Sequence, residues 1–186
     1  MRHTPALNGS ANCNSLACGQ MDLKLEHDLR STLGIEACPV IRSAADVAAA
    51  FHAMALLERE VMVAGTLDRR NRLVCWTIVS SSTADRLVVR VEDVFFSVIK
   101  NHGAAIFLVQ NHPTGKLSAS HSEREIMNRV LRASRLLGYP LLDHVIVTQS
   151  GYRSLFCGPQ PGVVLYLGKR DISELAVSVS AAVKML

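Results

Sequence analysis

The residues best suited to chemistry lie between positions 110 and 123. There the chain reads Gln110-Asn111-His112-Pro113-Thr114-Gly115 and, after 116–119, Ser120-His121-Ser122-Glu123. His112 offers an imidazole nitrogen and Glu123 a carboxylate oxygen, both ordinary zinc ligands. A catalytic zinc is held by three protein ligands and keeps one position open for water. Gln110 stands two residues before His112, so in an extended chain the two side chains share one side. It points where a third ligand would. Glu60, at the start of an earlier strand pattern, can be the base that takes a proton from metal-bound water. A plainer reading of the same residues stands beside this one. Ser120-x-x-Glu123 is a capping box at a helix start. His112 before a proline suits a turn, and Gln110 can satisfy a backbone amide at a strand end.

Positioning these groups needs rigid elements, and the apolar pattern supplies them. Ala104 to Val109 is a continuous apolar run, the pattern of a strand buried on both faces. At its carboxyl end, where α/β folds place sites, it delivers a loop from Gln110 to Ala119. Ser120 to Leu137 then follows helical spacing, with Ile126, Val130, Ala133 and Leu137 inward and Gly138 closing it. Upstream, Glu60–Leu67 and Leu73–Val79 read as a hairpin around Asp68-Arg69-Arg70-Asn71. Ser80 to Thr83 is loop. Ser43 N-caps a helix running to about Leu57. Val91–Asn101 is a helix with Val94, Phe95, Val98 and Ile99 on one face. Leu141–Thr148 and Tyr152–Phe156 form a closing hairpin. Asp143 and His144, set between apolar runs, read as a hydrogen-bonded structural pair. The order α-β-β-α-β-α-β-β implies the α/β class, a mixed β-sheet flanked by helices.

From about Val40 to Cys157 the chain resembles the RadC-like branch of the JAB/MPN domains, the JAMM metallopeptidase-like superfamily. The resemblance is carried by Arg42-Ser43, Glu58-Arg59-Glu60-Val61, Leu67-Asp68 with Asn71-Arg72-Leu73, the Asn-His-Pro-Thr-Gly loop, Leu137-Gly138, Leu142-Asp143-His144 and Tyr152-Arg153-Ser154-Leu155. It implies a cytidine-deaminase-like three-layer architecture. The family's metal motif is His-x-His-Pro-x-Gly followed by Ser-x-x-Asp. Aligned without gaps, His112 falls on the second His, Ser120 on the Ser and Glu123 on the Asp. Gln110 replaces the first His.

The resemblance implies zinc held by His112, Glu123 and, at the third corner, Gln110. Glu60 is then the general base, and Ser120 steadies the oxyanion. The implied activity is that of a zinc-dependent JAMM-type metallohydrolase, a protease acting on amide or isopeptide bonds of a peptide substrate. Glutamine is a far weaker zinc ligand than imidazole, and Glu123 is one methylene longer than the family's Asp. The alternative expectation is a metal-free JAB/MPN-fold binding or interaction module. His121, beside Ser120, is a candidate replacement ligand. Arg90-Val91-Glu92-Asp93 stands where RadC-like chains carry His-Pro-x-Glu.

Composition bounds the rest. The 186 residues are one domain's worth. With 49% hydrophobic and 19% charged residues, the chain is no disordered segment. No apolar run reaches the roughly 18 residues a membrane helix needs. Met1 to Gln20 is polar, without the apolar region of a signal peptide. The net charge of +4 is spread out, and no basic stripe or aromatic platform calls for nucleic acid. Five cysteines at irregular spacing are the pattern of reduced thiols in a cytoplasmic protein. The expected divisions are a flexible segment with a short helix over 1–39, a RadC-like JAB/MPN domain over 40–157, and a linker with a C-terminal helix over 158–186. The apolar face of that last helix (Leu175, Val179, Ala182, Val183, Leu186) packs on the domain or, alternatively, on a second copy in a homodimer.

Overall fold

A computed structural model describes residues 23–35, 38–82 and 88–156 of the chain. The expected N-terminal tail, the linker and the C-terminal helix lie outside these residues. The described elements are α1 (Leu23–Leu33), α2 (Ala44–Phe51) running into a 3₁₀ turn (His52–Leu56), β1 (Glu60–Leu67), β2 (Leu73–Ser82), α3 (Val91–Lys100), β3 (Ala105–Asn111), α4 (His121–Leu137), β4 (Leu141–Thr148) and β5 (Gly151–Ser154). None of these helices is long and apolar enough to cross a membrane.

The strands form one mixed sheet in the order β2-β1-β3-β4-β5. β3 and β4 pair in parallel, joined through α4, and every other neighbouring pair is antiparallel. A parallel pair needs a crossover of this kind. β3 is thereby the middle strand and is buried along its whole length. Its alternate residues face two separate cores. Phe107 and Val109 join Val47, Phe51 and Met54 of the α2 side. Ile106 and Leu108 join Val94, Phe95, Ile126 and Val130 of the α3 and α4 side. Helices on both faces of the sheet make the three layers that the resemblance implies.

The first core is ordered by aromatic edges. Phe51 meets Trp76 at 6.1 Å and Phe107 at 5.7 Å, both edge-on. The Phe107 ring lies directly over Gly65, its partner on β1. A Cβ on Gly65 would sit 2.1 Å from Phe107 Cζ. Glycine is required there by close approach rather than by a turn.

Five local expectations change, one being the last strand, which runs over Gly151–Ser154 instead of Tyr152–Phe156. The α2 helix gives way to a 3₁₀ turn at His52 instead of continuing to Leu57. β2 runs on to Ser82, because Ser80 to Ser82 pair with Met62 to Glu60 on the sheet's edge, where polar side chains are tolerated. Ile99 and Leu137 are about half exposed; the inward positions on α4 are Ile126, Val130, the partly buried Ala133 and Ser134. Finally, β3 extends through Gln110 and Asn111, which are strand and not loop.

Gly65→Ala should lower stability by about 1–3 kcal/mol, the usual range for overpacking a filled core. Chemical denaturation of the full chain measures it. A change under about 0.5 kcal/mol would mean that the Phe107 ring can move away.

Candidate functional site

The site is built at the carboxyl end of β3. Pairing persists to the last two residues: Gln110 opposes Met62 on β1 and Ile146 on β4, and Asn111 opposes Val147. Side chains alternate, so Gln110 and His112 look toward α4 while Asn111 looks the other way. The buried Asn111 amide binds the entry to β1 there. Its Oδ1 accepts from the Val61 amide at 2.8 Å, and its Nδ2 donates to the Arg59 carbonyl at 2.9 Å. Glu60 lies between those two residues. The chain's placement of Glu60 therefore rests on a residue that sequence reasoning passed over as part of a loop. The signal was a short amide side chain at the end of an apolar run.

His112 follows in a tight turn closed by a Gly115 amide bond to the His112 carbonyl at 3.0 Å, with Pro113 leading and Gly115 at φ +75°. This accounts for His-Pro-x-Gly: proline presets the first turn residue, and glycine takes the left-handed position. His112 Nδ1 is 2.5 Å from the Lys116 carbonyl. A carbonyl only accepts, so Nδ1 carries a proton and Nε2 is left facing inward. Nε2 lies 2.7 Å from Glu123 Oε1 and 3.6 Å from Glu60 Oε1.

Glu123 is set by the start of α4. Ser120 is the N-cap, its hydroxyl accepting from the Glu123 amide at 3.2 Å, and the Ser120 amide donates back to Glu123 Oε2. The capping box is formed in full. It consumes one carboxylate oxygen and aims the other, Oε1, at His112 and Gln110. The Gln110 carboxamide sits on the floor. Its Nε2 donates to Glu123 Oε1 and, at 3.2 Å, to Glu60 Oε1; it also lies 2.6 Å from His112 Nε2. Its Oε1 faces His144 Nε2 at 2.8 Å.

Charge and burial separate the two carboxylates. The Glu123 side chain is 6% exposed and that of Glu60 29%. Burial raises the Glu60 carboxyl, and sharing a proton with the charged Glu123 adds to this, so that it reaches about 7 despite the opposing His112 charge. Burial also acts upward on Glu123, but hydrogen bonds from His112, Ser120 and Gln110 outweigh it and hold this carboxyl far below the carboxylate range. For His112 burial acts downward, but the Glu123 hydrogen bond, the Lys116 carbonyl and both carboxylate charges raise it overall. His144 is fully buried and pushed down to about 4, mainly by burial, so it is neutral.

The structure thus brings Glu60, His112, Glu123 and Gln110 together. One ligand atom each from Glu60, His112 and Glu123 lies within 4.8 Å of the others. Zinc bonds of about 2.0–2.2 Å put neighbouring ligand atoms of a tetrahedral site about 3.4 Å apart; the 3.6 Å between His112 and Glu60 suits a divalent cation, and the 2.7 Å His112–Glu123 contact has to open to admit one. Ser120 stands at the rim of the cleft above them, which Pro113, Thr114, Lys116 and Ser118 also line. His121 turns away to Glu125 at 3.4 Å and is 90% exposed, so it does not replace a ligand. The Asp143–His144 pair is hydrogen-bonded as expected, but only through the His144 backbone amide. Asp143 Oδ1 accepts from the His144 amide and from Ser154, whereas the His144 ring points through the opposite face to Gln110. Neighbouring residues of a strand face opposite ways. Arg90 pairs with Glu92 on the exposed start of α3.

A three-layer domain with a histidine-carboxylate cluster beyond its central strand defines a class, and comparison with known proteins gives the family. The chain belongs to the RadC-like JAB domain family, whose model matches residues 41–159, more than half of the sequence. A relative from Rubrobacter xylanophilus is 36% identical over 118 residues, covering 63% of this chain and 52% of that protein. One from Chloroflexus aurantiacus is 36% identical over 116 residues, 62% and 51% respectively. One from Thermotoga maritima is 35% identical over 101 residues, 54% and 46%. All three carry the name UPF0758 protein. The chain spans about half the length of these relatives.

The raised Glu60 carboxyl has a stability consequence in metal-free protein. Near pH 8 it is ionised folded and unfolded alike, and the folded state bears the cost of burying it beside Glu123. Below the ordinary value of 4.5 it is protonated in both states. Its favourable contribution is thus complete at low pH and is lost as pH rises through about 7. With chelator present, Glu60→Gln should melt several degrees above the native chain near pH 8, the gap closing toward pH 4.5. A gap independent of pH would refute the assignment.

Proposed function

We propose that the cluster is a weakened metal centre of the JAMM metallohydrolase type, with zinc held by His112 and Glu123 and amide or isopeptide bonds of a peptide as substrate. The observation that carries this reading is the convergence of His112, Glu123 and Glu60 below an open cleft. When bound, the ion lowers the pKa of a water molecule and polarises a carbonyl.

The chain's own residues supply the rest. The Lys116 carbonyl fixes the His112 tautomer, the usual device for orienting a ligating histidine. The capping box fixes Glu123. Glu60, the more exposed carboxylate, reaches the cleft, takes a proton from water and returns it to the departing amine. Ser120 uses an oxygen lone pair for the cap, and its O–H donates to the carbonyl oxygen as charge develops there. Gln110 occupies the third corner but presents its NH₂, so with Glu60 serving as base only His112 and Glu123 are left to hold zinc. A cytoplasmic setting completes the proposal. The second reading, a metal-free binding module, is favoured by that same inward NH₂, which already bridges Glu60 and Glu123.

Elemental analysis of protein purified without chelator, with zinc supplied at neutral pH, tests the reading. About one zinc per chain is expected, lost in His112→Ala. Gln110→His should tighten zinc binding by about tenfold or more. No zinc above background in either the native chain or Gln110→His would sink the metal reading and leave the binding module.

A further inference from the structure

Gln110 poses a geometric question that the cluster itself does not answer. A carboxamide can turn either end inward, and only the oxygen can bind a cation. Here the nitrogen end faces in, toward Glu60 Oε1, Glu123 Oε1 and, at 2.6 Å, His112 Nε2. The oxygen end is 2.8 Å from His144 Nε2, on the neighbouring strand. That contact is a hydrogen bond only if Nε2 carries the proton, which leaves Nδ1 bare. His144 Nδ1 is buried and has no hydrogen-bond partner among the described residues. A bare nitrogen there is an unpaired acceptor, which costs less than an unpaired N–H in the same place.

The reverse arrangement costs more. Turning Gln110 over would set its oxygen against two carboxylates, with only the His112 Nε2 beside it as a possible donor. It would also offer an N–H to His144 Nε2, so the His144 proton would have to move to Nδ1. That N–H would then be buried without an acceptor, a rare condition in folded proteins. His144 is fully buried in β4 and cannot turn out to solvent to escape it. The His144 end of the amide therefore selects the orientation.

We infer that His144 is a positioning residue that locks Gln110 as a hydrogen-bond donor to Glu60 and Glu123, so that residue 110 competes with a cation for these carboxylates instead of helping to hold it. Gln110 is on this account no ligand at all; it is the counter-group of a cation-free state. The inference depends on the metal reading above only for its effect on affinity, and its structural half stands alone.

Two measurements on the full chain test it. In metal-free native protein, nitrogen-15 NMR of the imidazoles should find His144 as the Nε2–H tautomer at neutral pH. An Nδ1–H tautomer overturns the lock, whatever the chain does with metal. In zinc titrations by calorimetry, Gln110→Leu should bind zinc as tightly as the native chain or up to about tenfold more tightly, because a competitor has been removed. A loss of about tenfold or more would make the amide oxygen a ligand and overturn the lock. If the native chain, Gln110→Leu and Gln110→His all fail to take up zinc, the metal reading falls, and the His144 tautomer alone decides the inference.

Discussion

Two carboxylates and an imidazole share one end of a buried strand, and their mutual charge must be offset for the fold to close. Like charges a few ångströms apart away from bulk water repel by several kcal/mol at an effective dielectric constant of about 20. The chain answers with His112 between the two carboxylates, the Gln110 NH₂ across both, and the Ser120 amide on Glu123. The first turn of α4 adds its unpaired amides, which favour an anion. Each of these groups has its own hold elsewhere: His112 on the Lys116 carbonyl, Gln110 on His144, and Glu60 between the two backbone groups that Asn111 clamps. Hence the site reaches into β1, β3, β4 and α4 together, and the sheet's register cannot slip by one residue without exchanging Gln110 for Asn111 on the α4 side.

How much of this was legible depends on the distance over which each feature is decided. The apolar run before Gln110 declared a central strand because burial on both faces leaves no polar alternation. The start of α4 was declared by Ser120 and Glu123, since a cap is settled within four residues. What could not be read was set by pairing partners far along the chain. Gln110 and Asn111 look like loop residues in isolation, yet β1 and β4 on either side keep them in the ladder. The serines of 80–82 have no strand signal of their own; Glu60 to Met62 supply their ladder. His144 is the clearest case. Its neighbours suggest a local partner in Asp143, whereas strand alternation sends its ring to the opposite face, where a residue 34 positions away waits.

The two departures from the motif that the resemblance implies answer each other. A glutamine at this corner turns its oxygen to His144 and brings two N–H groups, which need acceptors in a buried place. A glutamate in place of the aspartate adds a methylene, so one carboxylate can close the cap with Oε2 while Oε1 reaches the Gln110 nitrogen. The capping reading of Ser120-x-x-Glu123 and its reading as site residues are therefore not rivals. The cap is what aims Oε1. Considered singly, each change weakens a metal site. Considered together, they describe a pocket whose charge balance is kept by the protein's own amide, and any cation that enters must first displace it.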